Sequence, residues 1–184
     1  LIRGFQSIDY AWYWRGNGWT QSVTDEGWAH YGEALDEARE CFEKSYALES
    51  SDPESSYGML NLCRAMSLDR SESEKYFSRV IGIVPAHVRA YREMMFSLMP
   101  KWGGTWSAVD GFVKQIEAQS AEQGHPLLLL VKLDAYREMT EERDGYKDLM
   151  SREDVRRDVL AMREAIVQRW PDDLASRAEM ARAY

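Results

Sequence analysis

ARECFEKSY (Ala38–Tyr46), SEKYFSRVI (Ser73–Ile81) and AVDGFVKQI (Ala108–Ile116) are one pattern written three times. Phe42, Phe77 and Phe112 are separated by 35 residues and then by 35 again, and they use three of the five phenylalanines in the chain. Four residues before each stands a small residue (Ala38, Ser73, Ala108), and four after each a large one (Tyr46, Ile81, Ile116). Lys44, Arg79 and Lys114 follow the three phenylalanines by two. An i, i+4, i+8 spacing puts small residue, ring and large apolar residue on one helical face. The small residue lets a neighbouring helix approach and the ring fills the space beside it. One such helix is ordinary amphipathicity. Three in register are an internal repeat.

Working outward, Ser73-x3-Phe77-x2-Val80-x4-Pro85 has the form of the second helix of a tetratricopeptide unit, whose period is about 34 residues. Tyr91, Met94, Met95 and Leu98 suit the first helix of a unit, and Tyr57 and Leu60 do so less well because Asn61 stands where a small residue belongs. Such units cannot bury their faces alone, so stacking supplies the core. Thr24-Asp25-Glu26 and Asp52-Pro53-Glu54 read as helix starts, as do Ser71-Glu72-Ser73-Glu74 and Ser151-Arg152-Glu153-Asp154. Pro85, Pro100, Pro126 and Pro171 mark boundaries. These signals predict helices over about 7–15, 25–49, 53–68, 72–84, 86–99, 106–123, 126–143 and 152–169, with a ninth from Asp172. The expected fold is all-α: antiparallel helix pairs stacked as a tetratricopeptide-like right-handed solenoid of eight to nine helices. As domains, 1–184 is one repeat domain. It comprises an aromatic N-terminal segment (1–24), three repeats in register (25–123), and a stretched fourth repeat with the start of a further helix (124–184).

Composition narrows the function. The 184 residues carry 23 basic and 31 acidic side chains, a net charge of -8, with 45% hydrophobic residues and seven tryptophans. The mean hydropathy is -0.54 and the longest apolar run, Pro126–Val131, falls far short of the roughly 20 residues a membrane span needs. An acidic chain has no electrostatic footprint for nucleic acid. Most of the excess acid lies in residues 1–60, together with Trp12, Trp14, Trp19 and Trp28. Cys41 and Cys63 read as free thiols in a reducing compartment, which makes the cytoplasm the default location, with a signal segment upstream of Leu1 left open.

No catalytic, metal or cofactor constellation is legible. His30, His87 and His125 have no partner at the three- or four-residue spacing of a helical metal pair. Gly16-Asn17-Gly18 follows no strand and precedes no Lys-Ser/Thr, so it reads as a turn. Glu141-Glu142 and Asp172-Asp173 point to different sides of a helix and read as solvated acids.

Two features suit a binding role instead. Trp102-Gly103-Gly104-Thr105-Trp106 replaces a polar loop, and its glycines call for a positive φ or a close backbone approach. Trp102 and Trp106 then either plug the gap beside the glycines or flank a groove and anchor a partner. Arg89, Arg92 and Phe96 fall on the groove-lining side of their helix, where arginine with an aromatic suits peptide recognition, although solvated arginines would look the same.

Arg15-Gly16-Asn17-Gly18, Glu26-Gly27-Trp28 and Leu98-Met99-Pro100-Lys101-Trp102-Gly103-Gly104-Thr105-Trp106, with the phenylalanine-spaced helices, resemble a bacterial family known as domain of unknown function 4034. The resemblance covers roughly residues 9–120. Its most specific part is the Pro-Lys-Trp-Gly-Gly turn, and Thr105 stands where serine is expected. It implies a tetratricopeptide-like fold and brings no activity or catalytic residues with it. The sequence therefore points to a non-enzymatic module, monomeric or weakly self-associating, that binds a protein or peptide, with Arg89, Arg92, Phe96, Trp102 and Trp106 as candidate contacts. The alternatives are a self-assembly domain, an immunity-type inhibitor of a toxin, and, last, a hydrolase built around His125 or His30.

Overall fold

A computed structural model describes residues 1–123, 128–143, 151 and 153–169. The described residues form eight α-helices and no strand: α1 (Ile2–Arg15), α2 (Asp25–Leu48), α3 (Pro53–Ala65), α4 (Arg70–Ile83), α5 (Val88–Ser97), α6 (Trp106–Gln123), α7 (Leu129–Arg143) and α8 (Glu153–Arg169). Short 3-10 turns occupy Thr20–Ser22 and Pro100–Trp102. The helix expected from Asp172 lies outside the described residues. By contacts the chain divides into two units, Leu1–Pro85 and Ala86–Tyr184, with the boundary between α4 and α5.

Several helix ends follow the sequence signals. Thr24 accepts from the Gly27 amide at 3.0 Å, and Asp52 accepts from the Glu54 amide with Pro53 in the first helical position. Others do not. Helix α1 starts at Ile2 rather than residue 7, running through Gly4. Helix α4 starts at Arg70, with Asp69 at the cap position and Ser71 already inside the helix. Helix α3 stops at Ala65 because Ser67 turns left-handed (φ 52°) and the Leu68 amide donates back to the Cys63 carbonyl at 2.8 Å. Serine has no sequence signal for that conformation. His87 caps α5, its Nδ1 accepting from the Ala90 amide at 3.1 Å.

In the first unit α1 packs on α2, α2 on α3 and α3 on α4. The four-residue connections from α2 to α3 and from α3 to α4 turn those packed neighbours antiparallel. Phe42 is fully buried at the centre. A Cβ placed on Gly4 of α1 would lie 2.8 Å from its ring, and one on Gly58 of α3 would overlap the ring outright. Two helices thus clasp Phe42 through glycine, and Phe5 closes the clasp edge-on with ring centroids 4.9 Å apart. Leu35, Ala38, Met59 and Leu62 complete this core. Outside it, Ser7 and Arg3 of α1 both donate to the Glu37 carboxylate, the Ser7 hydroxyl at 2.9 Å. These bonds, led by the one from Ser7, hold that carboxyl below the usual range. Cys63 is buried and its thiol is pushed up to about 11 by that burial, so it is inert rather than nucleophilic.

In the second unit both α5 and α6 pack on α7. Tyr91, Met94, Met95 and Leu98, the expected packing face of α5, are all buried. Phe112 and Ile116 line up beneath Tyr91, whose ring stacks on Phe112 at 6.1 Å and whose hydroxyl donates to Gln119 at 2.8 Å. Lys132 of α7 is 11% exposed and bridges Glu117 of α6 and Asp158 of α8. Tyr136 donates to the same Asp158 carboxylate at 3.2 Å. Burial works against the Lys132 ammonium, but Asp158 and Glu117 outweigh it and raise its pKa above the ordinary value.

The folded state therefore holds that proton more tightly. The contribution is complete below the ordinary lysine pKa of about 10.4 and is lost as pH rises beyond it. At neutral pH Lys132→Met leaves two facing carboxylates and is expected to cost about 2 kcal/mol, discounted for the partial exposure of both acids. Urea denaturation of both proteins between about pH 7 and 12 checks the sign, because the gap between them should narrow above about pH 10.4. A gap that stays constant would exclude the bridge as its source.

Candidate interaction surface

The expected contact residues of the second unit are spread along α5 and the turn after it, from Arg89 near the helix start to Trp106 at the start of α6. Arg89 is exposed, Arg92 and Phe96 are half-buried, Trp102 is 36% exposed and Trp106 is half-buried. Arg92 is ion-paired with Asp134 of α7. Lys101 pairs with Glu138 at 2.6 Å and places its ammonium 6.0 Å from the Phe96 ring. These two bridges fasten α5 and the turn to α7, so the charge of Arg92, one of the two arginines expected to face a partner, is already matched. Both properties expected of the glycines are present. Gly103 has φ 85°, and a Cβ on Gly104 would overlap the Leu98 carbonyl. The space beside Gly104 is thus filled by Leu98 backbone rather than by a tryptophan ring.

A second cluster, in the first unit, was not legible as a site. Helix α1 buries Gly4, Ser7, Ile8 and Ala11, the 3.6-residue stripe expected of a packed helix. The side away from that stripe should be polar, yet it carries Tyr10 (51% exposed) and Tyr13 (76%), with Trp14 half-buried beside them. Tyr10 and Tyr13 stack at 6.4 Å, and Trp14 meets both edge-on near 6 Å. Trp14 in turn lies on His30 of α2 with ring centroids 4.2 Å apart. His30 sits 3.4 Å from Glu33 and 3.9 Å from Glu26. Trp19 stands almost fully exposed at 84%, on the connection between α1 and α2. Arg15 anchors that connection by donating to the Gly16 and Gly18 carbonyls.

A neighbouring aromatic group is structural by contrast. Trp12 packs on Tyr31, whose hydroxyl donates to the Ala65 carbonyl at 2.7 Å, and Arg64 covers the Trp12 ring at 5.8 Å. Trp28 meets Tyr31 at 5.5 Å from the rim, 37% exposed.

The signal that could have found this surface is the phase of α1. Once Gly4, Ile8 and Ala11 are taken as its inner stripe, Tyr10 and Tyr13 must face out. No sequence feature set that phase, because the expected helix began at residue 7 and left Gly4 outside it. Among the described residues no three His, Cys, Asp or Glu side chains gather as a metal site, and no helix is long and apolar enough to cross a membrane. His125 lies outside the described residues. Fold and surface together define an all-helical protein with an aromatic face on its first unit. No family model, curated protein or solved structure matches the chain.

Proposed function

We propose that this chain is a non-enzymatic helical-repeat module that binds a protein or peptide through the aromatic face of α1 and α2, and that its partner segment is basic. The observation that carries the proposal is the exposed pair Tyr10 and Tyr13, backed by the half-buried Trp14 and His30 and edged by Glu26 and Glu33. Exposed tyrosine and tryptophan are the side chains that supply most binding energy at interfaces, because they bury a large area for little entropy. The surrounding charge selects the partner. Residues 1–60 hold 11 acids against 4 bases. Arginine or lysine of a partner can lie over the rings while meeting the rim carboxylates.

The same charge disfavours self-pairing, since a two-fold contact would set acid against acid. The successive packing of α1 to α4 and the Gly103-Gly104 turn support a tetratricopeptide-like repeat related to domain of unknown function 4034, which remains part of the proposal.

Calorimetry of the full chain against short peptides of equal length and graded charge tests the reading. Basic peptides are expected to bind, and Tyr13→Ala and Trp19→Ala are each expected to weaken them by about tenfold, the order of a hot-spot truncation. Both side chains are exposed, so folding is spared. Binding that ignores peptide charge, or that survives both substitutions unchanged, would refute the assignment.

A further inference from the structure

At the other end of α2, a cleft between α2, α3 and α4 borders the core and lies away from the aromatic face. It has a volume of about 260 Å³. Phe42, Tyr46, Met59 and Tyr76 form its walls, and Ser56 lies among the lining residues. Ser56 is 1% exposed and its hydroxyl has no hydrogen-bond partner among the described residues. A buried hydroxyl left without a partner costs free energy that a ligand atom can restore. Arg79 and Glu43 supply charges of opposite sign to the same cleft.

Four observations select the occupant. The Arg79 guanidinium stands 5.0 Å from the Tyr46 ring and 5.4 Å from the Tyr76 ring, and among the described residues no carboxylate is ion-paired with it. A cationic ligand would have to displace Arg79 from both rings, whereas an anion meets a guanidinium already held in place. Glu43 repels a second negative charge, so one carboxylate is favoured over two. The cleft is small, its space being about 260 Å³ with the open mouth included, which restricts the occupant to a small molecule. Ser56, as a donor without an acceptor, calls for an acceptor on the ligand.

We propose that this cleft binds a small organic monocarboxylate: its carboxylate rests on Arg79, its apolar body lies between Tyr46, Tyr76 and Met59, and its far end accepts a hydrogen bond from Ser56. The site stands apart from the aromatic face, and either can fail without the other.

The probe is 4-oxopentanoate, compared with pentanoate, 4-oxopentanamide and butanedioate. The readout is the methyl spectrum of the full chain labelled with 13C-methyl methionine, with the Met59 signal assigned through Met59→Leu. Saturable movement of Met59 by 4-oxopentanoate is expected, weaker with pentanoate and absent with the amide and the diacid. Arg79→Gln should lower affinity at least about tenfold, the order of a charge-assisted bond. Ser56→Ala should bring 4-oxopentanoate and pentanoate level, while leaving the buried site without an unpaired hydroxyl. Both variants are judged only with the remaining methionine signals in place.

An unmoved Met59, equal binding of acid and amide, or affinity unchanged in Arg79→Gln would overturn the proposal. Tighter binding of the free C-terminus of Gly-Gly-Ala than of 4-oxopentanoate would overturn the small-acid assignment in favour of a polypeptide end.

Discussion

Phe42→Ala is expected to remove about 4 kcal/mol from the stability of the first unit, in the range of roughly 3–5 kcal/mol seen when a buried ring is truncated to alanine. The value belongs at the upper part of the range because the site cannot collapse. Its walls are backbone on two sides, at Gly4 and Gly58, and neither glycine has a side chain to move inward. Loss on this scale approaches the whole stability of many domains, so the variant should be largely unfolded near physiological temperature. The converse change tests the same clasp. Gly58→Ala puts a methyl group where the ring already is, and overpacking of about 1–3 kcal/mol outweighs the roughly 1 kcal/mol that alanine gains over glycine in a helix. Combining Gly58→Ala with Phe42→Leu should recover part of the loss, because the smaller side chain makes room for the methyl group. Urea denaturation monitored by circular dichroism, with the double-mutant cycle, checks this. Additive losses would show that the ring and glycine do not oppose each other. Phe77→Ala should cost clearly less, since Phe77 is only half-buried.

The second large effect is expected at the turn between α5 and α6. Gly104→Ala should destabilise the second unit by about 3 kcal/mol, the upper end of ordinary overpacking. What stands in the way is the Leu98 carbonyl group, which is main chain and cannot rotate aside. Relief would require moving the end of α5, where Leu98 and Met99 are buried and the Gly104 amide donates to the Met99 carbonyl at 3.0 Å. Gly103→Ala should cost only about 1 kcal/mol: its Cβ meets nothing, and the penalty is that of a left-handed residue without glycine's freedom. Thermal denaturation of the two variants separates these mechanisms. Equal shifts in melting temperature would contradict the close approach to Leu98.

Glycine accounts for much of what sequence could and could not convey. Gly103 and Gly104 sit in a turn and were legible as backbone requirements. Gly4 and Gly58 lie inside helices, where glycine reads as a weak point, and their purpose depends on a ring 38 and 16 residues away. Helix α1 was placed too late, at residue 7 rather than Ile2, so the stripe that starts at Gly4 and turns Tyr10 and Tyr13 outward was not seen. The capping signals at Thr24 and Asp52-Pro53 are local chemistry and transferred directly, whereas the left-handed Ser67 that ends α3 carries no local mark. The phenylalanine register identified three helices that bury that face, yet burial is complete at Phe42 and only partial at Phe77. Spacing states which residues share a face and not how much covers them. The candidate contacts show the same limit. Arg92 has the right position on its helix, but its charge is met by Asp134, 42 residues further along. No pattern within a helix can report a partner on another one.

The central claim is that a basic partner is recognised on the first unit, and the indole N–H signals of the 15N-labelled full chain report on it directly. On titration with a basic peptide the account predicts that Trp14 and Trp19 shift while Trp102 and Trp106 hold still, and that the charge-reversed peptide moves none of them. Shifts confined to Trp102 and Trp106, or equal responses to both peptides, or no response to either, would contradict it.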